Sequence, residues 1–259
     1  TFVANTVQMV GIQMYTLRDQ TEKDLLGTLR KVAEIGYHAV EFAGYFGVSA
    51  KELRTTLDDL GLAAPSAHVG LDFSSLEKMQ SSLSREIEYA QELGLQYIIT
   101  PGSPVPQNPS LEDVTALIPF FEKASEMVRA AGLKYGYHNH DFEFKKVNGQ
   151  AIIDLWLEKI PAEHMIAEFD LGWVYVGGAD PVDYVSRYAG RVPLVHIKDF
   201  GADHKETDLG MGQVDFNRIF DIADQAGILY YIVEQETYAS SSLESAKLSL
   251  DYFRKLNLV

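Results

Sequence analysis

The chain has 259 residues, and 22 Lys plus Arg against 37 Asp plus Glu give a net charge of 22 − 37 = −15 at neutral pH. That charge repels phosphate backbones and anionic lipid, which excludes nucleic acid and acidic membrane surfaces as partners, and no stretch reaches the roughly 18 to 20 apolar residues of a membrane span. The absence of Cys excludes disulfides, thiolate nucleophiles and Cys-ligated zinc, so any metal must sit on His and carboxylates.

The chain starts at Thr1 and runs TFVANTVQMVGIQ with no initiator Met. This start fits the mature end of a processed export precursor or a trimmed chain; export is the favoured reading, a cytoplasmic location is the alternative, and residues 1–6 read as a loose tail. From there one unit recurs, in which an amphipathic helix ends at a Gly and an apolar or alternating run follows. It is seen in AEIGYHAVEF at Gly36, DDLGLAAPSAH at Gly61, QELGLQYIIT at Gly94, RAAGLKYGYH at Gly132 and DQAGILYYIVE at Gly227. Gly stops a helix because it adopts the left-handed conformation at low steric cost. Strands are predicted at Met9–Met14, Ala39–Phe42, Ala64–Val69, Tyr97–Thr100, Tyr135–His140, Ile166–Asp170, Leu194–Lys198 and Tyr230–Glu234. Helical periodicity covers Lys23–Ile35, Ser75–Leu93, Leu111–Ala131 and Ser242–Leu256 between or after them. The regular alternation has no Pro/Ser-rich linker and no GxGxxG or P-loop motif. It predicts one parallel (β/α)8 TIM barrel over residues 1–259, which typically takes about 250 residues, in preference to a doubly wound sheet.

Active sites of such barrels form at the C-terminal ends of the strands. Here those ends carry Glu41, His68, His138 and His140, Asp170, His196 and Lys198, and Glu234, most of them flanked by apolar residues as in LVHIKD and YIVEQE. Buried polar groups need partners or a ligand. An imidazole from the fifth strand, Asp170, His196 and Glu234 together offer nitrogen and oxygen donors suited to one divalent ion, with Mn, Zn, Co or Fe favoured over Mg. Side chains alternate along a strand, so His138 and His140 share a face, as do Glu168 and Asp170. Either imidazole could be the ligand, leaving the other for acid–base work. Glu41 and His68 read as substrate contacts or as satisfied structural groups, and His38 and His164 as hydrogen-bonded structural residues. Tyr135, Tyr137, Tyr230 and Tyr231 read as barrel packing.

The strand ends YHNHDFEF, EFDLGW, VPLVHIKDF and YIVEQE, with GIQMYTLRD near the start and GMGQVDF late, resemble the sugar phosphate isomerase/epimerase family of xylose isomerase-like barrels from Gly11 to Phe253. The resemblance implies a divalent metal held by His138, Asp170, His196 and Glu234. It also implies a small-molecule sugar substrate and an enediolate intermediate of a keto-sugar or related polyol. His140, Glu234 and Lys198 are then the expected catalytic groups, with Lys198 neutralising a developing oxyanion or binding Asp199. Glu41, His68, Glu143 and Glu168 are the expected hydroxyl-binding groups. The chain departs from the family at His138, where many members have Glu in an ENH motif. A His-containing fifth strand also resembles inosose dehydratases and lyases acting on 3-keto-glycosides. Isomerisation or epimerisation is therefore the first expectation, β-elimination the second, and a non-catalytic sugar-binding barrel the third. The family's DNA-repair branch needs a basic face that a charge of −15 does not provide. An acidic protein without an Arg-rich mouth is a poor phosphate binder, and with Arg18 the main candidate near a strand end an unphosphorylated sugar is expected. Barrels of this kind often associate through their outer helices, which leaves a homo-oligomer open.

Overall fold

The hydrophobic alternation resolves into eight strands: β1 (Met9–Gln13), β2 (Ala39–Ala43), β3 (Ala63–His68), β4 (Tyr97–Thr100), β5 (Lys134–His138), β6 (Ile166–Asp170), β7 (Leu194–Ile197) and β8 (Tyr230–Val233). They pair in chain order, every pair parallel, and β8 closes on β1. The computed structural model describes residues 7–259; the expected tail at 1–6 lies outside the described residues. The predicted TIM barrel is the observed fold.

Local chemistry sets the element ends. Gly94, at φ 85°, ends the helix Leu76–Leu93, and Ser75 caps its start by accepting from the Lys78 amide. The helix expected over Leu111–Ala131 is broken into Leu111–Thr115 and Ile118–Ala130. Pro119 explains the break: it has no N–H to donate into the preceding turn, and its ring opposes the carbonyl four residues back. It therefore sits in the first turn of the second helix. The strand expected to reach His140 stops at His138, which leaves His140 in the loop that follows.

Two apolar regions hold the barrel. The outer one lies between strands and helices, and includes Tyr135, Tyr137, Trp156, Phe169 and Tyr231. The inner one is a small plug of Tyr97, Ile99, Leu194 and Ile232, with Ile166 and Tyr230 against it. Tyr135, Tyr137, Tyr230 and Tyr231 thus pack as the sequence predicts. The plug fills the N-terminal part of the barrel, so polar side chains in the C-terminal part stand on a dry floor.

Candidate metal centre and its pocket

Strand alternation carries each chain segment from floor to mouth in steps of two residues. On β6 the sequence Ile166, Glu168, Asp170 runs from plug to mouth; after it, Leu194, His196 and Lys198 do the same on and just beyond β7. The register pairs Glu168 with Leu194 and Asp170 with His196. A polar layer therefore lies directly above the plug, and a second polar layer above that.

The lower polar layer is knit by short contacts, although Glu168 Oε2 is buried without a partner, and His68, His138, Glu168 and His196 form a second group of donors within 4.8 Å of one another. His196 Nε2 lies 2.6 Å from Glu41 Oε1 and 3.0 Å from Glu168 Oε1. His68 Nε2 lies 2.6 Å from Glu168 Oε1 and 3.0 Å from Glu41 Oε1. Ser66 donates to Glu41 Oε2 at 2.6 Å, and Gln13 donates to Glu41 Oε1 at 2.9 Å. Burial opposes the charge on Glu41, but His68 and His196 outweigh it and hold the carboxyl well below the usual range. Burial likewise favours a neutral His68 ring, yet the Glu41 and Glu168 carboxylates push it up to about 10. Burial and then the neighbouring Glu41 raise Glu168.

The upper layer has a different spacing. His138, Asp170, His196 and Glu234 each present a donor atom, all within 4.8 Å of one another and all buried. His138 Nε2 is 3.2 Å from Asp170 Oδ2, and His196 Nδ1 is 3.7 Å from the same oxygen and 3.5 Å from Glu234 Oε2. Two of these separations exceed hydrogen-bond length, and all three suit atoms about 2.0 to 2.2 Å from a common cation. His196 Nδ1 is buried with no hydrogen-bond partner, while its Nε2 is engaged by the layer below. That is the arrangement in which an outer carboxylate fixes a ligand ring. The nitrogen and oxygen donors therefore fit a divalent metal ion. Burial, reinforced by His196, lowers His138 to about 3, so it stays neutral. Burial works against the Glu234 charge, but Lys198 outweighs it and the carboxyl falls to about 2. Asp170 is also held ionised, against burial, chiefly by Lys198.

Each ligand candidate has a local reason for its place. Asp170 accepts from the Trp173 amide at 3.0 Å as it caps the short helix Leu171–Val176. Asn139, between the two histidines, accepts from the Asp170 amide at 2.9 Å and donates to the His140 carbonyl at 2.9 Å, tying the ends of β5 and β6 together. Glu234 is gripped by Lys198 at 3.1 Å, and Lys198 also reaches Glu206 at 3.2 Å.

The mouth opens into a cavity of about 340 Å³ whose wall includes His68, His138, His140 and Glu234, together with Tyr15 and Glu236. His140 Nδ1 is buried without a partner, and burial lowers the ring's pKa. A larger cleft of about 760 Å³ lies on the flank of the barrel, but its Asp154 is already engaged by Tyr184, Tyr188 and Arg187 and it contains no His.

Several expected contacts fall elsewhere. Glu41 and Glu168 are fully buried beneath the wall and hold imidazoles instead of facing the cavity. Glu143 is turned onto the His140 amide at 2.9 Å and the Tyr137 hydroxyl at 2.7 Å, and burial raises it to about 7. Lys198 stands behind Glu234 and makes no pair with Asp199. Asp199 instead accepts from the amides of Phe200, Gly210, Gly212 and Val214, folding the GMGQVDF loop around itself. A Cβ at Gly212 would come within 2.3 Å of that carboxylate, so only Gly fits. Arg18 donates to the Tyr238 hydroxyl at 2.9 Å and the Glu236 carbonyl at 2.7 Å, which uses its fork on the loop after β8. His164 pairs with Glu122 at 2.8 Å, a structural role as expected, whereas His38 is exposed at the opposite end of the barrel. Glu206 was not legible in the sequence, because it sits on a two-residue strand, Glu206–Thr207, too short to show a period, which pairs antiparallel with Asp199–Phe200. The glycines of GMGQ were the one local signal of the turn that shapes this side of the mouth.

Residues 29–256 match the xylose isomerase-like TIM barrel. The chain belongs to that family. It is similar to an inosose dehydratase of Geobacillus kaustophilus (strain HTA426), 26% identical over an alignment that covers 88% of this chain and 86% of the relative. A sugar phosphate isomerase/epimerase from Parabacteroides distasonis ATCC 8503 superposes with a TM-score of 0.87 at 27% identity, over 97% of this chain and 99% of the other. An L-ribulose 3-epimerase shares the fold, with a TM-score of 0.76 at 20% identity over 97% and 94% of the two chains. These relatives carry enzyme names that divide between lyases and isomerases, acting on small molecules. Among the described residues no helix is long and apolar enough to cross a membrane.

Proposed function

We propose that this barrel is a divalent-metal-dependent lyase that removes the proton α to the carbonyl of an unphosphorylated keto-sugar or keto-polyol and expels a β-oxygen substituent. One observation carries the reading: two imidazoles on the cavity wall have opposite surroundings. His68 Nε2 lies against two carboxylates at 2.6 and 3.0 Å, while His140 has no carboxylate partner and a bare Nδ1. A ring held by carboxylates keeps its proton, and a buried ring without one stays neutral. The site therefore holds an acid and a base of different kinds, which is what elimination requires.

His138, Asp170, His196 and Glu234 would hold the ion. When bound, a divalent metal polarises the substrate carbonyl and stabilises the charge of the enediolate. His140 takes the α-proton, and the C–H electrons pass into the enolate. They then form the carbon–carbon double bond as the β carbon–oxygen bond breaks. His68, using the nitrogen not turned toward Glu41 and Glu168, gives its proton to the departing oxygen. Lys198 keeps Glu234 ionised and oriented. The commitment of Arg18 to the loop after β8, with Glu234 and Glu236 on the wall, supports a substrate without phosphate. The dehydratase similarity over most of both chains supports the same outcome.

Manganese- or cobalt-loaded protein in deuterated water, given an inosose and a 3-keto-glycoside, should incorporate deuterium at the α-carbon and release an unsaturated ketone. Exchange with an epimer or isomer as product would instead support the second reading, a sugar isomerase/epimerase, which the TM-score of 0.87 to the Parabacteroides protein favours. Absence of both exchange and any unsaturated, epimeric or isomeric product with both substrates would rule out proton abstraction and return the chain to a sugar-binding barrel. Tighter binding of a phosphorylated sugar than of its free counterpart would overturn the substrate assignment.

A further inference from the structure

We infer that the substrate carries a second ring, seated in a cleft beside the metal pocket between Trp173, Phe200 and the loop after β8; which ring reacts rests on the proposed function, but the cleft does not. The cleft has a volume of about 400 Å³ and is walled by Trp173 and Phe200, with Lys205, Glu206, Glu236 and Thr237 around them. Glu236 also lines the metal pocket, so the two cavities meet at one side chain. The wall is continuous on the other side as well. The His140 ring lies 5.8 Å from Trp173, and Trp173 lies 4.8 Å from Phe200. A base on the pocket wall is thus followed directly by two aromatic rings.

Size and chemistry point to the occupant. The metal pocket, about 340 Å³, is near the lower end of the usual range for small-ligand sites. A single sugar ring engages it, and anything attached at the departing oxygen must extend along the wall. The adjoining surface offers aromatic faces to a ring and charged or hydroxyl groups at its rim, the mixture that suits a pyranose or a phenol ring. Trp173 also has a buried indole N–H with no hydrogen-bond partner in the protein, a donor that buried tryptophans ordinarily satisfy. Trp173 is held in place from below, because its backbone amide caps onto Asp170. On the proposed lyase reading, a substrate that fills both cavities then loses this second ring with its departing oxygen.

The two Trp of the chain make this measurable. Trp156 is wholly buried against Phe121 and Tyr137, so a ligand-dependent change in indole emission reports Trp173. Manganese-loaded protein is titrated with phenyl β-glucoside and with methyl β-glucoside. The phenyl glucoside should bind about tenfold more tightly and shift the emission, as expected for one added aromatic contact. Trp173→Ala, followed by calorimetry, should bring the two affinities together. Lys205→Trp, at an exposed position, should fill the cleft and weaken only the phenyl glucoside. Equal affinities in the unaltered protein, or a preference that survives both substitutions, would overturn the second-ring site. Deuterium exchange into a one-ring inosose tests the chemistry separately. Exchange without a phenyl preference refutes the cleft and spares the lyase reading, and a phenyl preference without exchange does the reverse.

Discussion

The two polar layers of the barrel use the same residue types at different spacings. In the lower layer, carboxylate and imidazole atoms approach to 2.6–3.0 Å, leaving only Glu168 Oε2 without a partner among its carboxylate oxygens. In the upper layer the corresponding separations are 3.2–3.7 Å, and His196 Nδ1 has no partner. His196 belongs to both, one nitrogen in each. The difference is one of spacing: the lower contacts are already of hydrogen-bond length, while the upper ring of donors is slightly wider, as suits a cation, and a second donor group of His68, His138, Glu168 and His196 spans the two layers.

The sharpest break of that comparison is to remove an upper-layer donor. Asp170→Ala or His196→Ala should abolish both bound metal, measured by elemental analysis, and turnover; full metal content in both variants would refute the ligand set. Next, His140→Ala should keep the metal and lower kcat by about 10²- to 10⁴-fold, the usual effect of losing a positioned base. Rates within a few-fold of the unaltered protein would exclude it from proton transfer. Glu41→Gln acts one layer down. It should weaken metal affinity by about 10- to 100-fold, as an outer partner of a ligand does, and an unchanged metal dissociation constant would show that the layers are independent.

Below the polar layers the same comparison concerns stability. Leu194→Ala, in the plug, should lower unfolding free energy by about 2 to 5 kcal/mol in denaturant titrations, with metal stoichiometry intact in the folded fraction. A loss of metal at full folding would mean the floor tunes the site. The smallest effect is at Glu143. Its folded pKa, raised by burial to about 7, lies above the ordinary carboxyl value of about 4.3, so the folded state binds more protons between these values. Its contribution to stability is fully present below the lower value and is lost as pH rises through the upper. Glu143→Gln should flatten the stability profile in that window, and an unchanged slope would contradict the shift.

Much of this was legible in the residues. The alternation of apolar runs with Gly-ended amphipathic helices is a local pattern, and steric and solvation rules that act over a few residues turn it into strands and helices. Parallel strands joined by helices then close in chain order. The inward phase of Glu168 and Asp170, two residues apart on one strand, was readable for the same reason. The break at Pro119 was also encoded, in a residue whose effect on the helix is local. The roles of Glu41, Glu143 and Lys198 were not readable, because each depends on the distance to groups far away in the chain, such as Glu41 to His196 at 2.6 Å across 155 residues.

The sequence by itself therefore determined the barrel, the end of the barrel that carries chemistry and the donor types gathered there. Tertiary structure alone decided which imidazole joins the donor ring and which stays free. It also decided that Arg18 is engaged on a loop, and that a carboxylate one step deeper supports His196. These are matters of tenths of an ångström between separate strands, and closing the barrel is what sets them.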